Sequence, residues 1–242
     1  KPYEVIVVAN LRFQALPAEA QYHILKQVSE GAGLVITYPG DFPFSKVFEK
    51  PVDAWEKILG MVDLKTLPGS AATRKPADLL KTYQFGKGRV AVLNYGAPYA
   101  NLGLTAHEDY SLSGWKARYE NNLALVGRVI QWAAGRDITP TIQPTIEGHT
   151  VKLALSGTPK GELHARIRDI DNAVVLEKKI FLTKEAGQEI ALDGLPAGTY
   201  FLDLRWGANS KVSGFGVFKI ERAFPGGKIE LKTDKLSYEA GE

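Results

Sequence analysis

Residues 31–41, Gly31-Ala32-Gly33-Leu34-Val35-Ile36-Thr37-Tyr38-Pro39-Gly40-Asp41, decide how the chain is read. Leu34 to Thr37 is a short apolar run with glycine before it and Pro-Gly after it, the pattern of a strand covered on both faces. Such strands belong to parallel sheets, and in open α/β sheets ligands gather just beyond the carboxyl ends of the strands. The turn from Tyr38 to Asp41 is therefore the expected place for a site, although no obviously reactive group stands in it.

Upstream, Tyr3 to Ala9 is apolar and β-branched enough for a buried strand. Pro17 to Glu30 follows with Ala20, Ile24, Leu25 and Val28 at helical spacing, and Gly31 and Gly33 end that helix. Strand, helix and strand with short joins predict a right-handed βαβ unit whose two strands are adjacent and parallel. Downstream, Phe42 to Ser70 is irregular apart from a helix over Asp53 to Met61 carrying Trp55, Ile58 and Leu59; it is expected to be an insertion over the sheet edge. Leu79 to Phe85 and Arg89 to Tyr95 read as a hairpin joined by Gly86-Lys87-Gly88. A Gly-x-Gly around a lysine invites a phosphate-loop reading, but no helix follows it and the flanks alternate as strands do. Trp115 to Ala134 is a long amphipathic helix with Trp115, Tyr119, Leu123, Val126, Val129, Ile130 and Ala133 on its apolar stripe, and Asp137 to Pro144 reads as a linker.

Beyond the linker, Val151 to Leu155, Glu162 to Asp169, Ala173 to Phe181, Gln188 to Leu192, Thr199 to Trp206 and Gly214 to Glu221 are short alternating runs parted by turn residues, the signal of an antiparallel β-sandwich. A chain of 242 residues, 45% hydrophobic and 24% charged, suits two such domains. It contains no Cys, which removes thiol catalysis, disulfides and thiolate metal sites together. Its 30 basic and 27 acidic residues are spread along the chain, so no basic stripe suggests nucleic acid, and no apolar run is long enough to span a membrane. The chain opens at Lys1, and Lys228 to Glu242 begins a new alternating pattern, so it is expected to be a piece of a longer protein.

The series Tyr3-Glu4-Val5-Ile6-Val7-Val8, helix, Gly31-Ala32-Gly33-Leu34-Val35-Ile36, then Phe85-Gly86-Lys87-Gly88-Arg89-Val90-Ala91-Val92-Leu93 and Trp132-Ala133-Ala134-Gly135-Arg136 resembles the class I glutamine amidotransferase-like fold. More narrowly it resembles the non-catalytic versions attached to large bacterial extracellular proteins, including the trimerisation domains of some β-galactosidases. The resemblance implies a flavodoxin-like three-layer domain over residues 1–136 that lacks its first strand and helix. In working amidotransferases a Cys nucleophile sits at a strand-to-helix elbow, and aligning Ile36-Thr37-Tyr38-Pro39-Gly40 on that elbow puts Tyr38 in its place. A phenol with an ordinary pKa near about 10 is a poor nucleophile for an amide, and Pro39 has no N–H for an oxyanion. The His-x-Glu partner is missing as well: His107-Glu108-Asp109 falls in a loop, beyond the strand that ends at Asn94-Tyr95. Within the later strands, Leu195-Pro196-Ala197-Gly198-Thr199-Tyr200-Phe201-Leu202-Asp203-Leu204 resembles the fibronectin-like and immunoglobulin-like modules of bacterial surface proteins.

The fold expected is thus α/β, a partial flavodoxin-like parallel-sheet domain over 1–136, then an all-β antiparallel sandwich over 137–222, with 223–242 a linker and the start of a further β domain. Candidate ligand-binding residues are Arg12, Tyr38 and Asp41 at the strand ends and His107, Glu108 and Asp109 in their loop; no catalytic residue, metal or cofactor is expected. The leading functional expectation is a non-catalytic structural or assembly module of a larger secreted or periplasmic bacterial protein, with other domains of the same polypeptide, a second copy or a carbohydrate as partner. Its rivals are a hydrolase or small-ligand-binding protein centred on Tyr38, and a carbohydrate-binding module using Tyr200, Trp206 and Phe215 as a sugar-stacking face.

Overall fold

The computed structural model describes residues 3–9, 11–37, 40, 42–48, 50–67, 75–95, 115–136, 138, 141–156, 161–181, 188–208 and 211–223. Strand β1 (Val5–Val8), helix α1 (Ala18–Glu30) and strand β2 (Gly33–Ile36) form the expected βαβ unit, with Val5 opposite Gly33 and Val8 opposite Ile36 in parallel register. Two short helices, α2 (Phe44–Val47) and α3 (Trp55–Leu59), flank the edge strand β3 (Lys50–Pro51). Helix α4 (Pro76–Leu79) then leads into β4 (Leu80–Phe85), which turns back as β5 (Gly88–Leu93). The sheet order is β1-β2-β5-β4-β3. Strands β1, β2, β5 and β3 run one way and β4 runs against them, so the sheet is mixed, not the parallel sheet expected. The hairpin is the cause: a two-residue turn can only reverse the chain, which forces β4 antiparallel to β5.

Leu34, Val35, Ile36 and Thr37 are fully buried, as the quoted stretch requires. Leu34 and Ile36 face a cluster containing Val28 of α1 and the aromatic group Phe13, Phe44 and Phe48. Val35 faces the other way, onto Val129 and Ala133 of helix α5 (Trp115–Ala133) and Ile58 of α3. Three layers result, helix on sheet on helix.

The Gly86-Lys87-Gly88 turn packs on α1 and has no room for a phosphate. A Cβ on Gly86 would lie 2.4 Å from the carbonyl oxygen of Ser29, and one on Gly88 2.2 Å from those of Val28 and Ala32. The Lys87 N–H donates to the Ser29 carbonyl at 2.9 Å. These glycines let the hairpin dock against the end of α1, and Gly86 also supplies the positive φ of the turn.

The rest of the chain is a sandwich of two antiparallel sheets. One holds β6 (Thr141–Glu147), β7 (Thr150–Ser156) and β10 (Gln188–Ala191) in the order β10-β7-β6. The other holds β8 (Glu162–Arg168), β9 (Val174–Phe181), β11 (Gly198–Ala208) and β12 (Lys211–Arg222) in the order β12-β11-β8-β9. Strand β6 corrects the linker expected over Asp137 to Pro144. Pro144 hid it, but a proline is tolerated on an edge strand, where β6 lies. Tyr200, at the start of β11, donates its hydroxyl to the Pro196 carbonyl at 2.9 Å, the corner bond typical of immunoglobulin-like sandwiches.

Candidate functional site

At the carboxyl ends of β1 and β2, exposed Arg12 lies against the turn expected to carry a site. A Cβ on Gly40 would fall 3.2 Å from Cδ of Arg12 and 2.9 Å from Nε2 of Gln14, so the side chains that follow β1 rest on the turn that follows β2. Of the six candidate residues, Arg12 is placed at this edge; Tyr38, Asp41, His107, Glu108 and Asp109 lie outside the described residues, as does Pro39. Among the described residues no group of three His, Cys, Asp or Glu side chains is placed to hold a metal ion. No helix there is long and apolar enough to cross a membrane.

The polar groups that the structure does bring together lie elsewhere, where the α/β layers meet the sandwich. Residues 60–63, expected as part of an insertion over the sheet edge, instead seal one side of the sandwich. The carbonyl of Gly60 accepts the N–H of Ile142 on edge strand β6 at 3.1 Å, and a carboxylate oxygen of Asp63 accepts the N–H of Lys219 on edge strand β12 at 2.9 Å. Each bond satisfies an outward backbone donor that an edge strand leaves open. Between them Met61, fully buried, enters the sandwich core beside Ile142, Leu204 and Phe218. The fit is tight, since a Cβ on Gly216 would lie 2.3 Å from the Met61 carbonyl oxygen and one on Gly60 2.3 Å from Cγ2 of Thr141. A cleft of about 720 Å³ follows this seam, with Trp55, Asp63, Pro144 and Phe218 among its walls.

Helix α5 reinforces the seam with buried polar side chains. Asn121 donates to the Asp63 carbonyl at 2.9 Å and accepts its N–H at 3.2 Å. Arg128 donates to the carbonyls of Lys57 and Ile58 at 2.6 Å and to that of Ile138 at 3.1 Å. It thereby satisfies carbonyls at the end of α3 that the short helix leaves open. Burial pulls the Arg128 guanidinium down to about 10. Arg168 of β8 pairs with Asp203 of β11 at 2.6 Å and also with Glu120 of α5 and with Asn172. Burial lowers the Arg168 guanidinium, but the hydrogen bonds and charges of Asp203 and Glu120 outweigh it and leave it raised. Burial pushes the Asp203 carboxyl up, and the pull of Arg168 does not fully offset it.

This arrangement overturns part of the stripe expected on α5. Tyr119 and Leu123 are well exposed, whereas Asn121, Asn122 and Arg128 are buried, because the helix is covered by the mixed sheet on one side and by β12 on another. It also removes the expected sugar-stacking face. Tyr200 and Trp206 point into the sandwich core and are 6% exposed each, while Phe215 sits on the opposite face with Phe201 and Val217. Alternation along β11 puts Tyr200 and Trp206 on the inward face with Leu202 and Leu204.

No family model matches the chain, and no curated protein matches it. Among solved structures, a DUF3244 family protein with an immunoglobulin-like β-sandwich fold from Bacteroides vulgatus is similar over 33% of this chain and 83% of its own, at 27% identity and a TM-score of 0.27. A β-glucuronidase from Parabacteroides merdae is similar over 35% of this chain and 13% of its own, at 12% identity and a TM-score of 0.24. Likenesses this slight carry no argument about activity, and the sandwich stands on its own strand pairing.

Proposed function

We propose that the chain is a non-catalytic structural module of a larger secreted or periplasmic bacterial protein concerned with carbohydrate, in which an amidotransferase-like layer and a fibronectin-like sandwich act as one rigid spacer between neighbouring domains. The observation that supports it is the seam. Asp63 and Arg168 bond across the seam and Asn121 and Arg128 brace its α/β side, so these polar groups are engaged, whereas a catalytic centre needs polar groups free to converge on a reacting atom. In this reading the α/β part is a retired amidotransferase, and its strand-helix-strand order supports that. A spacer of this kind transmits orientation, so its worth lies in a fixed angle between its ends.

The absence of Cys makes the test clean. Exposed Tyr22 on α1 and exposed Phe181 on β9 are replaced by Cys, spin-labelled, and the distance between labels is measured by pulsed electron resonance. One narrow distance distribution is expected; a broad or two-peaked one would remove the spacer reading.

A further inference from the structure

A second cleft, of about 330 Å³, opens where α5 crosses the outer face of β11 and β12. Leu123, Phe215 and Val217 form one wall, and Glu120, Asp203 and Arg205 provide the polar groups. Leu123 is 38% exposed and Phe215 half-buried, so apolar surface stands open beside Glu120 and Asp203, which Arg168 holds in place. A few oriented polar groups against an apolar wall are the usual make-up of a small-molecule site, and the volume is at the low end of the roughly 300 to 1,000 Å³ that such sites span.

The chemistry of the walls narrows the ligand. Glu120 and Asp203 each carry a negative charge when ionised, while Arg168 behind them and Arg205 beside them carry positive ones, so the cluster has no net charge to attract an ion. The carboxylates are hydrogen-bond acceptors and the Arg205 guanidinium is a donor. The complementary ligand is neutral, bears several hydroxyls that both donate and accept, and has one flat apolar face to lie on the Phe215 ring. We propose that this cleft binds a single pyranose ring, as a terminal or isolated sugar and not as an extended chain. The site goes beyond the spacer reading and survives or fails independently of it, since a rigid spacer needs no ligand.

The test is an NMR titration of the intact chain with methyl glucoside, methyl galactoside, methyl mannoside and N-acetylglucosamine, with glycerol as a polyol that lacks a ring. Saturable shifts at the Leu123 methyls and the Phe215 ring are expected with at least one pyranoside and not with glycerol. Phe215→Ala and Arg205→Ala should each weaken that binding tenfold or more; because Arg205 is exposed, Arg205→Ala should keep the wild-type melting temperature. The proposal is overturned if no pyranoside shifts these signals, if glycerol shifts them equally, or if both variants bind as wild type does.

Discussion

The mixed sheet and the sandwich solve the problem of exposed edges differently. The sheet's β3 edge is two residues long and contains Lys50 and Pro51, a self-contained way to discourage pairing. The sandwich leaves β6 and β12 open on one side and relies on residues 60–63 of the other part to bond their donors and to fill the gap with Met61. The sandwich is therefore the dependent partner. A substitution in the α/β layers should reach it, while one on its far side should stay local.

The largest expected effect comes from Val35→Asp, which puts an unpaired carboxylate into the middle of the mixed sheet. The cost is several kcal/mol against a total stability of about 5 to 15 kcal/mol. Near-ultraviolet circular dichroism should show the aromatic signal of the sandwich, including Trp206, lost together with that of the sheet. A retained sandwich signal would break the asymmetry. Next, Met61→Ala should cost about 2 to 5 kcal/mol, as for other buried methionines, and chemical denaturation would measure it. Hydrogen exchange should then quicken in β6 and β12 more than in β2. Asp63→Ala removes the acceptor for the Lys219 N–H and for that of Lys65, and a loss of about 1 to 2 kcal/mol follows from two such bonds. An equal loss of protection in β9 would show that the seam is not where the bond acts.

How far the sequence carried differs between the two parts for physical reasons. Periodicity and turn chemistry are local, and they disclosed β1, α1, β2, the Gly86-Lys87 hairpin and most sandwich strands. The seam is not local. Nothing around Met61 says that its side chain belongs to a sandwich core begun some eighty residues later, and Asn121 and Arg128 look like solvent-facing residues until the carbonyls they satisfy are in place. Phe215 is plain in the sequence as an aromatic, but its face depends on the register of β12 against β11, which alternation alone does not fix.

The smallest effect is in the pH dependence. Asp203 holds its proton to higher pH in the folded chain than in the unfolded one, so between the ordinary value of 3.8 and the raised one the folded chain binds more protons. The contribution of this group to stability is therefore present below 3.8 and is lost as pH rises through the raised value. Melting temperatures across that window, compared with those of Asp203→Asn, should show the slope contributed by this group disappearing in the variant.

The interdependence of the two parts is the central claim, and calorimetric unfolding of the intact chain tests it most directly. A sealed sandwich predicts one transition whose calorimetric and van't Hoff enthalpies agree. Two separable transitions, or a sandwich transition unmoved by Met61→Ala, would contradict it.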